Sequence, residues 1–173
     1  MSDLQHPYSV LPVKNSSGKL IFTPCPGLKG VSTSKALSQL KEAGAVALIT
    51  LMSDSELGQN GLNDFKQQVS DSGLTWFHMP IEDDQAPGIE FESCWRSFHQ
   101  QIEALLSNGK SIAIHCKGGS GRTGLMAALL LTSRNQAPDE VIKQIQAIRP
   151  RSLTLDEHTH YLTQWATNYT SKE

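Results

Sequence analysis

Between Ser111 and Leu131 the chain switches directly from one kind of secondary structure to another. Ser-Ile-Ala-Ile-His (111–115) reads as a buried strand and Leu125 to Leu131 as an apolar helix. The connection is Cys116-Lys117-Gly118-Gly119-Ser120-Gly121-Arg122-Thr123-Gly124. Together with the strands and helices that alternate along the rest of the sequence, this points to an α/β fold. Its centre should be a mostly parallel sheet flanked by helices, with ligands bound beyond the carboxyl ends of the strands. A turn of this kind aims backbone N–H groups and the positive end of the helix macrodipole at one spot. Successive N–H groups there form an anion-binding nest. Gly118, Gly119 and Gly121 are expected to take positive φ and let the backbone approach an anion.

A thiol stands at the entrance of this turn and a guanidinium six positions later. The field that attracts an anion also favours a thiolate at Cys116. Arg122 offers a planar fork of donors for two oxygens of a phosphate. The positions from Lys117 through Gly118, Gly119, Ser120 and Gly121 to Arg122 form the expected phosphate-binding loop. Thr123 carries a hydroxyl within reach of the sulfur, and His115, last in the strand, can hydrogen-bond the loop and fix its shape. The chemistry these residue types allow is phosphoryl transfer in two steps, through a phosphocysteine that water then cleaves.

Such a reaction needs an acid for the departing oxygen. Glu82, Asp83 and Asp84 follow the predicted strand Leu74–Met79 on a loop bracketed by Pro80 and Pro87-Gly88. Glu56 follows another strand and should share the same rim. It either pairs with Arg122 or is an ordinary surface glutamate in a loop.

The run from His115 to Gly124 resembles the signature loop of the cysteine-dependent protein tyrosine and dual-specificity phosphatases, His-Cys-x-x-Gly-x-x-Arg-Thr-Gly. Pro24-Cys25-Pro26-Gly27-Leu28, Glu56-Leu57, Met79-Pro80-Ile81-Glu82-Asp83, and the segment from Ile148-Arg149-Pro150 to Tyr161-Leu162 are similar to the compact group related to the cyclin-dependent-kinase-associated phosphatase. The resemblance implies the phosphatase fold and favours Asp83, third after Pro80, as the acid, with Asp84 in support. It further implies a phosphorylated protein or peptide as substrate, through phosphotyrosine and also phosphoserine or phosphothreonine. Met79 stands where larger relatives carry a tryptophan. Thr154 lies near the place of a glutamine that positions water in some of them. Lys117 also resembles a feature of phosphoinositide phosphatases, whose second loop lysine is replaced here by Ser120. Two other readings of the loop are a catalytically silent phosphate-binding adaptor and a thiol-based arsenate or sulfur transfer site.

The 173 residues suffice for one phosphatase domain spanning 1–173, with residues 1 to about 18 polar and less regular. A net charge of −2 gives no argument for nucleic acid or an anionic membrane surface, and the longest apolar run is too short to span a bilayer. The start of the sequence shows no leader pattern, and the three cysteines make no disulfide framework, which suits a reducing cytoplasm. No metal-ligand spacing is found among the histidines, and neither metal nor cofactor is implied. Cys94 falls on an inward helix stripe with Phe91, Trp95, Phe98 and Ile102. Helices are further expected over Ser34–Ala43, Leu62–Ser70, Phe91–Leu106, Thr123–Arg134, from Pro138 to the stop at Pro150, and over Leu155–Tyr169. Strands are expected over Lys19–Thr23 and Ala45–Leu51.

Overall fold

The computed structural model describes residues 4–170, so the first and last three residues of the predicted domain lie outside the described part. Five strands, β1 (Ser9–Pro12), β2 (Lys19–Thr23), β3 (Ala45–Thr50), β4 (Thr75–His78) and β5 (Ser111–His115), form one sheet in the order β1-β2-β5-β3-β4. β1 is antiparallel to β2, and the other pairings are parallel. Among the described residues seven helices accompany them: α1 (Thr33–Glu42), α2 (Asp54–Gln59), α3 (Phe65–Ser72), α4 (Ile89–Ser107), α5 (Gly121–Ser133), α6 (Pro138–Ile148) and α7 (Asp156–Thr170). This is the expected α/β class.

The central strands are buried on both faces, and their alternation sorts side chains between two cores. Leu20, Phe22, Ala47, Ile49, Ile112 and Ile114 point to one side, where α4, α5, α6 and α7 pack. Ile21, Leu48 and Ala113 point to the other, against Leu37 and Leu40 of α1 and Phe65 and Val69 of α3. Because α5 is enclosed, every residue from Arg122 to Thr132 is buried. Gly124 lets it approach the chain at Ser152, since a Cβ there would stand 2.4 Å from the Ser152 Cβ.

Four local expectations are corrected. The N-terminal segment contains β1, which pairs Leu11 with Leu20; an edge position tolerates Pro12, and Val13 to Gly18 supply the reversal. Residues 54–59 are helical, so Glu56 does not sit in a loop; the Ser53 side chain accepts from the Glu56 N–H and starts α2. α3 begins at Phe65 instead of Leu62, because the Leu62 N–H is still bonded to the Leu57 carbonyl in the turn after α2. Cys94 is only partly buried and packs at the margin of the core. The predicted stop at Gly73 is realised in the left-handed region, φ 82°.

Candidate active site

Three strand ends build the site. β5 delivers His115 and Cys116, β3 leads to Ser53 and α2, and β4 leads to the loop of residues 80–88. Cys116 is 3% exposed. Its Sγ accepts hydrogen bonds from the Gly119 N–H at 3.2 Å and the Thr123 hydroxyl at 3.1 Å. Both donors stabilise a sulfur anion.

The loop is held from outside by its carbonyls. Cys116 O accepts from the His115 ring, Lys117 O from the Cys25 N–H, Gly119 O from Arg149 Nε, and Ser120 O from the Ser152 hydroxyl. With carbonyls engaged on the outer side, the peptide N–H groups are left for the thiol side. Ser120, at the N-cap of α5, makes no side-chain capping bond, so the first N–H groups of that helix are also open to an acceptor. Of the three loop glycines, only Gly119 has positive φ, at 85°. Gly121 is already the first residue of α5, and Gly118 faces open space, so the expectation for these two is corrected. A Cβ on Gly119 would lie 2.7 Å from Pro24 N and Thr23 C. Gly119→Ala is therefore expected to lower stability by more than the ~1–2 kcal/mol that a left-handed residue costs by itself. Thermal denaturation measures this, and an unchanged Tm would contradict the loop geometry.

His115 is fully buried, and burial pushes its pKa down to about 3, which leaves a neutral ring. The Cys116 carbonyl can only accept, so Nδ1 carries the ring proton. Nε2 then accepts from the Thr50 hydroxyl at 2.8 Å, and that hydroxyl accepts from Trp76 Nε1 at 2.7 Å. The relay fixes the end of β5 and keeps His115 off the sulfur.

Arg122 is 2% exposed. Nη1 and Nη2 grip Glu56 bidentately at 2.7 and 2.8 Å, and Nη1 also donates to the Ile81 carbonyl at 3.0 Å. Burial is the largest influence and opposes the guanidinium charge, but the Glu56 bonds together with the charges of Cys116, Glu56 and Asp83 outweigh it and leave the pKa raised. Arg122 Nε is buried with no partner, a donor directed by the same rigid fork. Asp83 Oδ1 stands 3.4 Å from Nη2 with a side chain 67% exposed, free to meet a ligand.

Cys116, Arg122, Asp83, Asp84, Lys117, Gly118, Ser120 and Gly121 line one open cavity of about 630 Å³. Gly119 and Thr123 reach the sulfur from below, His115 supports the loop, Glu56 sits behind Arg122, and Glu82 is outside the lining. Thr154 also lines the cavity. Sequence reasoning gave no site role to Arg149, Ser152, Lys29, Arg151 or His158, which hold the loop or line the cavity. Nothing local marks them. Cys25 touches the loop through its backbone, but burial pushes its thiol up to about 12. Among the described residues no helix is long and apolar enough to cross a membrane.

Residues 27–136 match the family described as Polymorphic toxin system, DSP-PTPase phosphatase. Cyclin-dependent kinase inhibitor 3 of Rattus norvegicus is 29% identical over 117 residues, 66% of this chain and 54% of that protein. The chain thus spans about half the length of the curated relatives of this kind that it matches. Tyrosine-protein phosphatase CDC14 of Saccharomyces cerevisiae is 31% identical over 98 residues, 56% of this chain and 17% of that protein. Among solved structures, kinase associated phosphatase superposes with a TM-score of 0.85 at 22% identity, covering 98% of this chain and 99% of that one. At that identity it shows a shared fold.

Proposed function

This chain belongs to the DSP-PTPase phosphatase family, and from that membership we propose that it is a cysteine-dependent phosphatase acting on phosphorylated protein side chains. Phosphotyrosine is the proposed substrate, together with phosphoserine and phosphothreonine, which an open cavity admits. The single observation that carries the reading is the meeting of a hydrogen-bonded thiol with a buried arginine whose Nε has no partner, at the N-terminus of α5. An adaptor that only binds phosphate has no use for a doubly hydrogen-bonded sulfur.

In the proposed cycle Cys116 Sγ attacks phosphorus, the S–P bond forms, and the P–O bond to the side chain breaks. The leaving oxygen takes a proton from Asp83. Water then attacks the phosphocysteine and gives a proton back to Asp83. A new P–O bond forms, and the sulfur departs as thiolate, held by Thr123 and the Gly119 N–H. Arg122 and the loop N–H groups meet the equatorial oxygens throughout. Residues 1–173 are proposed to act as one phosphatase domain. A reducing cytoplasm is the proposed compartment, because the described cysteines are free and the proposed nucleophile is a thiol. Lys29, Lys117 and Arg151 at the cavity favour, as a second reading, the several phosphates of an inositol headgroup.

The test is phosphate release from phosphopeptides, phosphoinositides and p-nitrophenyl phosphate by the wild type and by Asp83→Asn. Loss of the acid should lower kcat for an alkyl phosphate by about 10²-fold, and less for the activated aryl ester, because poor leaving groups need the proton most. It should also flatten the alkaline limb of the pH–rate profile. If Asp83→Asn is silent and Asp84→Asn shows this pattern, the acid moves by one residue. Silence in both would remove the loop from the mechanism.

A further inference from the structure

The loop that carries Asp83 has few anchors. Its first part is pinned to the residue after β3, with Ile81 N–H on the Leu51 carbonyl at 3.0 Å, and closes a turn from Gln85 N–H to the Glu82 carbonyl at 3.1 Å. Beyond Ile81, among the described residues, only two side chains from other elements bond to residues 82–88. One is Arg122, which meets Asp83. The other is His158 of α7, whose Nε2 lies 3.0 Å from the Gln85 carbonyl.

His158 is unusual for a helix residue packed against a site. It is 1% exposed, it lines the same cavity as Cys116, and its Nδ1 is buried without a partner. The Gln85 carbonyl can only accept, so the ring proton sits on Nε2. Burial holds the imidazole below its ordinary pKa, so the neutral ring has this one proton to give. An apolar side chain would fill the same place without burying an unpaired acceptor. The polar residue is accounted for by the one bond it makes.

We propose that His158 is a positioning residue that latches the acid loop, its Nε2–H bond to the Gln85 carbonyl holding Asp83 over the Cys116 loop. Asp84, which takes the left-handed region at φ 59°, lies between the two anchored residues, and the Glu82–Gln85 turn encloses them. The acid segment is therefore held at Asp83 by Arg122 and two residues later at Gln85 by His158. His158 touches neither substrate nor leaving group in this scheme and acts through the loop.

The latch rests on the phosphatase reading for its kinetic consequence and not for its structural one, so two measurements separate them. The variants are His158→Leu, which fills the volume without an N–H, and His158→Gln, which restores a donor on a side chain of similar reach. In His158→Leu, amide exchange at Gln85 should accelerate by about tenfold or more relative to wild type, while Ile112 to Ile114 of β5 stay protected. Turnover of an alkyl phosphate should fall about tenfold more than that of p-nitrophenyl phosphate, because a loosened loop loses proton delivery first. His158→Gln should recover both. Unchanged exchange at Gln85, an equal loss on both substrates, or no recovery with glutamine each overturns the latch. A wild-type protein inactive on both substrates sinks the phosphatase reading, and the exchange comparison still decides the latch.

Discussion

The Cys116→Ser protein is expected to fold with an unchanged Tm and to turn over p-nitrophenyl phosphate about 10⁴-fold more slowly than wild type, or not at all. Serine fits the volume and can accept from Gly119 N–H and Thr123 as the sulfur does. What it lacks is ionisation. A hydroxyl must lose its proton to attack, and the groups bonded at this position, the Gly119 N–H and the Thr123 hydroxyl, are donors and not bases. The nearest imidazole in sequence, His115, points its N–H at the Cys116 carbonyl and is spent on the other side by Thr50. Its pKa near 3 makes it a poor proton acceptor as well. The thiol escapes this problem because the helix end and the loop amides can support a thiolate directly. Iodoacetate at mildly acidic pH should therefore inactivate the wild type, and added phosphate should protect it. Retained turnover in the serine variant would remove Cys116 from the mechanism.

Arg122→Lys is the second large effect, a fall in kcat of about 10²–10³-fold. Charge is kept, but geometry is not. The guanidinium meets both Glu56 oxygens, the Ile81 carbonyl and Asp83 at once, and keeps Nε in reserve. An ammonium is one point with three donors and cannot span these partners while also facing an anion. The equatorial oxygens move as phosphorus passes through its transition state, so a group that follows them acts on kcat. Steady-state kinetics separate the cases. A variant with normal kcat and raised KM would make Arg122 a binding residue only.

The parallel strands β2 to β5 and the loop between β5 and α5 were legible because each is written locally. Cys116 and Thr123 flank the loop seven positions apart, and the loop returns one onto the other. Glu56 was a named candidate, yet its helix was missed. Ser53-Asp54-Ser55-Glu56 carries the Ser-x-x-Glu pattern of a helix start, which was the available signal. That helix has one buried residue, Leu57, and so no periodicity to read. β1 was hidden in the same way, by shortness and by Pro12. Arg149, Ser152 and His158 were illegible for a different reason. Their roles are bonds to Gly119, Ser120 and Gln85, from 30 to 73 positions away, and only the packed tertiary structure brings them there.

Those distant tethers set an order of events for a chain made from its N-terminus. When synthesis has passed Arg134, the thiol, the guanidinium and the helix behind them all exist, yet Arg149 and Ser152, which clamp two of the four loop carbonyls, have not been made. The loop has local sequence but lacks the clamps that hold its final curvature. A nascent chain therefore carries the Cys116 thiol in an unfinished cradle until the residues that follow α6 arrive. The loop around the thiol takes its final shape as a late product of folding.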